Sequence, residues 1–125
     1  MEQAKIIGIA PQLVVRDVRK TVEYYRDMLG FSVIKWLPEP PVYGMVHRDG
    51  FQVHFVKSDT EAIKSNKDYR SISHDFIIWV PEIDQLFAEL SAKGVNIVEG
   101  IVQRSYGSRE FVIEDCDGHR ILVGD

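Results

Sequence analysis

The sequence is short of most features that would commit it to a special environment. One of its 125 residues is cysteine, Cys116, which excludes an internal disulfide and a thiolate metal cluster. No apolar run approaches the length of a membrane span, and the start has neither the basic nor the apolar region of a secretory signal. Basic residues are scattered, and 15 of them against 19 acidic ones leave a net charge of −4. Nothing in that balance favours a phosphate backbone or an anionic membrane. Proline is scarce, and three of the five fall together at Pro38, Pro40 and Pro41, where they exclude a paired strand and enforce a turn. The expectation is a cytoplasmic protein whose partners are neither nucleic acid nor membrane.

What is present is a repeat. Ala10–Gly30 reads as a strand running into Asp17, then a helix closed by Gly30. His74–Gly94 has the same parts, with Pro81 breaking the strand and Gly94 closing the helix. Val18, Val22, Tyr25 and Leu29 make one apolar stripe at helical period, and Ile83, Leu86, Phe87 and Leu90 make the other. Gly94 follows Gly30 by 64 residues, a spacing that pairs Ala10 with His74. Strands are predicted over Ile6–Val15 and Phe31–Leu37, then a hairpin of Tyr43–Arg48 and Phe51–Lys57 around Asp49-Gly50. Ser58–Arg70 is polar and aperiodic, a linker with a short helical turn. The second copy continues with a strand over Val95–Val102 and a loop through Tyr106. It closes with a hairpin of Arg109–Glu114 and His119–Val123. The predicted fold is α+β: two tandem β-α-β-β-β modules, about residues 6–57 and 73–124 of a single domain, forming a curved mixed sheet around a cleft.

Alternation along each strand then sorts the faces. Phe51, Val53 and Phe55 are assigned to the helix side, and Gln52, His54 and Val56 to the concave side. Ile121 and Val123 pack inward, while Arg120 and Leu122 face the concavity. In the leading strands the concave positions are Ala10, Gln12 and Val14 in one copy and His74, Phe76 and Ile78 in the other. Trp79 is thereby assigned to the core, and Trp36, beside the proline turn, becomes the better wall for a planar ligand. Tyr106 and Gly107 belong to a loop at the mouth, where the ring and hydroxyl of Tyr106 are available. His47 and His119 are read as solvated hairpin shoulders. Cys116 has no base placed beside it and is not a nucleophile.

Leu13-Val14-Val15-Arg16-Asp17 with Tyr24-Tyr25-Arg26-Asp27-Met28-Leu29-Gly30-Phe31, and Tyr106–Phe111 with Asp115-Cys116-Asp117-Gly118, resemble the two halves of the vicinal oxygen chelate superfamily. That superfamily includes glyoxalase I, fosfomycin-resistance enzymes, extradiol dioxygenases and bleomycin-resistance proteins. Its catalytic members hold one divalent metal with two residues from each module. By the resemblance those positions here are Ala10, His54, His74 and Leu122. Two of the four have no donor atom, short of the roughly three protein ligands a catalytic site needs. The resemblance is therefore closest to the bleomycin-resistance branch, and implies a metal-free protein that binds an antibiotic-like, aromatic or amphipathic small molecule without catalysis. The expected cleft residues are Gln12, Trp36, Gln52, His54, His74, Phe76, Tyr106 and Arg120. No cofactor is expected, and a homodimer is. The alternative is a glyoxalase-type lyase or isomerase using Ni, Zn, Mn or Fe with a degenerate ligand set. A third reading is a non-catalytic domain whose cleft serves oligomerisation or a protein partner.

Overall fold

The computed structural model describes residues 2–37 and 39–125, the side chain of Leu37 excepted; Pro38 of the proline turn lies outside them. The order of elements is β1 (Gln12–Val15), α1 (Val18–Asp27), β2 (Ser32–Leu37), β3 (Tyr43–Arg48) and β4 (Phe51–Lys57). A one-turn 3₁₀ helix at Asn66–Asp68 follows. Then come β5 (Phe76–Trp79), α2 (Ile83–Ala92), β6 (Asn96–Gln103), β7 (Arg109–Glu114) and β8 (Arg120–Gly124). They build two four-stranded sheets of one topology, β1-β4-β3-β2 and β5-β8-β7-β6. In each, the first strand runs parallel to the last and the others are antiparallel. The predicted pair of β-α-β-β-β modules is what the chain forms.

Each helix covers one face of its sheet. The Asp17 carboxylate caps α1 by accepting from the Lys20 N–H at 3.1 Å. Val18, Val22 and Tyr25 then turn inward at spacings of 4 and 3 and are buried. Tyr25 packs on Phe55 at 4.8 Å and Phe31 at 5.6 Å between ring centroids. In the second module Ile83 and Leu90 are buried, and Phe87 meets Phe111 edge-on at 5.1 Å. Gly44 lets α1 approach: a Cβ there would lie 2.7 Å from Val22 and 2.8 Å from Val18.

The modules meet along a polar seam. Tyr25 donates its hydroxyl to Asp115 at 2.7 Å, the Thr21 hydroxyl bonds Asp117, and the Arg16 N–H reaches Asp117 at 3.2 Å. Arg48 forks onto both oxygens of Glu89 at 2.9 and 3.1 Å. His119 Nε2 donates to the Val14 carbonyl at 2.8 Å. His119 is only 3% exposed, so the solvated shoulder expected for it is a buried joint; His47 is half-buried.

Several boundaries and faces differ from expectation. The first strand begins at Gln12, not Ile6, because the ladder to β4 starts at the Pro11 carbonyl. With Gln12 opposite His54, β4 runs out at Phe51 and the residues before Ile9 have no strand to join. Ile6, Ile7 and Ile9 are accordingly exposed. Phe51 sits at the tight turn and is exposed rather than packed under α1. The larger correction is in β5. Phe76 and Ile78 lie in register with Ile121 and Val123 and pack toward the core, while Ile77 and Trp79 share the opposite face with Leu122 and Gly124. The cause is one residue after the helix: α1 and α2 each span ten residues, but Gly30 stands three beyond the end of α1 and Gly94 two beyond the end of α2. The N-cap of α2 is Glu82, not Pro81, so the repeat spacing changes from 64 at the closing glycines to 65 at the caps. A slip of one residue exchanges the two faces of a strand.

Candidate functional site

The face of the first sheet opposite α1 carries a connected set of polar side chains. Gln12 on β1 stands opposite His54 on β4, and Tyr43 enters from β3. Gln12 Nε2 donates to the Tyr43 hydroxyl at 3.1 Å, Tyr43 lies 2.7 Å from His54 Nδ1, and His54 Nε2 lies 2.8 Å from Gln52 Oε1. The carbonyl oxygen of Gln52 can only accept, so Nε2 carries the proton. In the neutral ring Nδ1 is then bare and accepts from Tyr43, whose oxygen in turn accepts from Gln12. All four residues are linked, and among the described residues each glutamine keeps one end without a partner: the Gln12 carbonyl oxygen and the Gln52 amide N–H₂. Met45, His47, Val14 and Val56 share this face by strand alternation.

The remaining predicted residues divide. Trp36 is in register with Gly44, on the helix side, where Arg19 lies over its ring at 4.9 Å. It does not face the concavity. Phe76 is likewise on the helix side. His74 precedes β5, and its carbonyl accepts from Asn66. Arg120 is half-buried on the face of β8 that Leu122 shares, opposite Glu114 across β7 and β8. Tyr106 is exposed on the β6–β7 turn and donates to Glu110 at 2.6 Å; that carboxylate raises the phenol above its ordinary pKa. Trp79, expected in the core, is 70% exposed on the face of the second sheet turned away from Phe76 and Ile78. A count of the repeat from Glu82 rather than Pro81 would have found it.

The same slip moves one of the four positions inferred from the resemblance. Two residues before Gln12 is Ala10, and two before its counterpart Ile77 is Asp75, not His74. The Asp75 carboxylate accepts from the N–H groups of Asn66 at 2.9 Å and Arg120 at 2.8 Å. Ala10 and Leu122 have no donor atoms, Asp75 is held by two amides, and both ring nitrogens of His54 have protein partners. Among the described residues no group of three or more His, Cys, Asp or Glu is placed to hold a metal ion. This donor set does not fit a catalytic divalent cation. A hollow of about 260 Å³ lies elsewhere, at the start of α1 between Arg16, Arg19, Pro41 and Lys57. Its basic side chains are already engaged by Asp117, Glu39 and the Arg16 carbonyl, and none of the predicted residues lines it.

Comparison with known proteins agrees with this architecture. A virulence protein of Salmonella typhimurium is 28% identical over 116 residues, spanning 89% of this chain and 78% of its own length. A glyoxalase-related enzyme from Clostridium phytofermentans superposes with a TM-score of 0.77 at 20% identity, covering 99% of this chain and 98% of the other. The bleomycin-binding protein of Streptomyces verticillus, solved with copper(II)-bleomycin, gives 0.73 at 20% identity over 97% of each chain. No described helix is long and apolar enough to cross a membrane. The sequence model of one family matches residues 6–123, and the chain belongs to that family, the glyoxalase/bleomycin resistance protein/dioxygenase superfamily.

Proposed function

We propose that this protein binds a small organic molecule, aromatic or amphipathic and antibiotic-like, on its concave face, without a metal and without catalysis. The observation that carries the reading is the chain Gln12–Tyr43–His54–Gln52. It uses the imidazole as a structural link between the Tyr43 hydroxyl and the Gln52 amide rather than as a ligand or a free base. It leaves one carbonyl acceptor and one amide donor for a neutral polar group. The likeness to a bleomycin-binding protein supports small-molecule binding at the level of fold. The protein acts as a cytoplasmic homodimer on this reading. The exposed Ile6, Ile7 and Ile9 supply apolar surface that one copy leaves uncovered.

The test is a thermal-shift screen of drug-like compounds against the native protein and its Gln12→Ala and Tyr43→Phe variants, with sedimentation to give the assembly. A ligand must raise the melting temperature by mass action, and the shift should shrink in both variants. Stoichiometric Ni, Zn, Mn or Fe that disappears with His54→Ala would overturn the reading and favour a glyoxalase-type lyase.

A further inference from the structure

The second sheet carries a notch that the polar chain on the first does not use. Glu110, Gly124 and Trp79 stand side by side across β7, β8 and β5, on the face opposite Phe111, Val123 and Ile78. A Cβ on Gly124 would lie 3.3 Å from Ser108 Oγ, 3.6 Å from Glu110 Cγ and 3.8 Å from Trp79 Cδ1. Three side chains from different strands and loops thus border a space that glycine leaves open. The indole of Trp79 is uncovered, and Tyr106 reaches across from the β6–β7 turn.

Glu110 gives the notch its charge. Its side chain is 10% exposed, and Arg104 Nε at 3.0 Å and the Tyr106 hydroxyl at 2.6 Å both bond the same oxygen, Oε1. The other oxygen, Oε2, has no hydrogen bond among the described residues. Arg104 is shared with Glu99, so one cation serves two carboxylates and the cluster stays negative. An open indole beside a nearly buried carboxylate with an unused oxygen suits one kind of guest. It is flat, so that it stacks; it is cationic, so that both the ring quadrupole and the carboxylate attract it; and it bears an N–H to donate.

We propose that this notch is a binding subsite for a planar aromatic cation, with the ring on Trp79 above Gly124 and its charged N–H on Glu110 Oε2. The proposal rests on the reading that the concave face takes small molecules, and it names the charge and shape of one part of the guest.

The test uses the full chain with Trp36→Phe, which leaves Trp79 as the single indole. Proflavine, a planar cation, is titrated against Trp79 emission, and naphthalene-1-sulfonate serves as the planar anion. Saturable quenching by proflavine alone is expected. Gly124→Val fills the notch and Glu110→Gln removes the charge, and each should weaken binding about tenfold. Glu61→Gln removes a distant exposed carboxylate and should leave it unchanged. Circular-dichroism melts establish that each variant is folded, and Trp79→Ala, followed by calorimetry, is the second route if Gly124→Val is not. Equal binding of the sulfonate, indifference to Gly124→Val or Trp79→Ala, or a Trp79 already shielded from acrylamide by a second copy would overturn the subsite. A screened compound that binds through Gln12 and Tyr43 while proflavine fails would discard the subsite and leave the proposed function standing.

Discussion

Asp115 shows how much one side chain can hold. It accepts from the Tyr25 hydroxyl at 2.7 Å and from the N–H groups of Asp117 and His119, each at 2.9 Å. Burial nevertheless raises its pKa above the ordinary value, outweighing the lowering by the Tyr25 bond and by His119. The native state therefore holds this proton more tightly than the unfolded chain does. Its contribution to stability is complete below the unfolded pKa of about 4 and is lost as pH rises through the folded value. Urea titrations of native protein and Asp115→Asn should show the advantage of the native protein shrinking as pH rises from about 4 toward 7. An advantage that grew over that range would mean the bonds outweigh burial. The adjacent Cys116 is pushed up to about 12 by burial, then by Asp117 and Asp115, although its outer edge reaches solvent. It should react with a disulfide reagent at pH 8 well over tenfold more slowly than an ordinary thiol of pKa about 8.5. Asp117→Asn should speed it, and a fast native reaction would contradict this account.

Among the elements, α1 and β3 depend on a missing side chain. Gly44→Ala would place a methyl within 2.8 Å of Val18 and Val22, and the overpacking should cost about 1–3 kcal/mol in chemical denaturation. A neutral result would show that α1 can lift off its sheet. Most elements were legible in the residues because local signals agreed. Asp49-Gly50 and Asp117-Gly118 mark the two tight turns with glycines at positive φ, and Asp17 and Gly30 bracket α1. The fifth strand was not, because its sequence, Phe-Ile-Ile-Trp, is apolar on both faces and alternation cannot orient it. Its face was therefore inferred from the repeat, and Pro81 looked like the helix boundary that Glu82 is. From that single residue follow the exchanged roles of Phe76 and Trp79, and of His74 and Asp75. Trp36 departs from expectation for another reason. Nearness to a turn says nothing about which side of a sheet a residue occupies, and the register with Gly44 decides it. The chain Gln12–Tyr43–His54–Gln52 was visible but for one member: three are expected in the cleft, but Tyr43 comes from a neighbouring strand whose register only the fold supplies.

At the scale of the whole molecule, the modules are joined by hydrogen bonds and by one shared cluster of buried apolar side chains rather than by a continuous sheet. Tyr25, Thr21 and Val14 of the first module meet Asp115, Asp117 and His119 of the second. Removing one partner strands another in a buried place, at a cost of about 1–3 kcal/mol. With Asp115 in place, denaturation of Trp79→Phe, followed through Trp36, and of Trp36→Phe, followed through Trp79, should give one coincident transition. With Asp115→Ala the two curves should separate, and curves that remain superimposed would show that the seam does not couple the modules.

The seam also sets an order in time. Tyr25 and Asp115 are 90 residues apart, and Val14 and His119 are 105. A ribosome that has delivered the whole first module has delivered a half whose tyrosine hydroxyl and β1 carbonyl have nothing to bind. Both must wait until nearly the last strand emerges, and closing so long a loop is slow. During that interval the nascent chain presents an unfinished edge to whatever chaperone or sister chain is nearby.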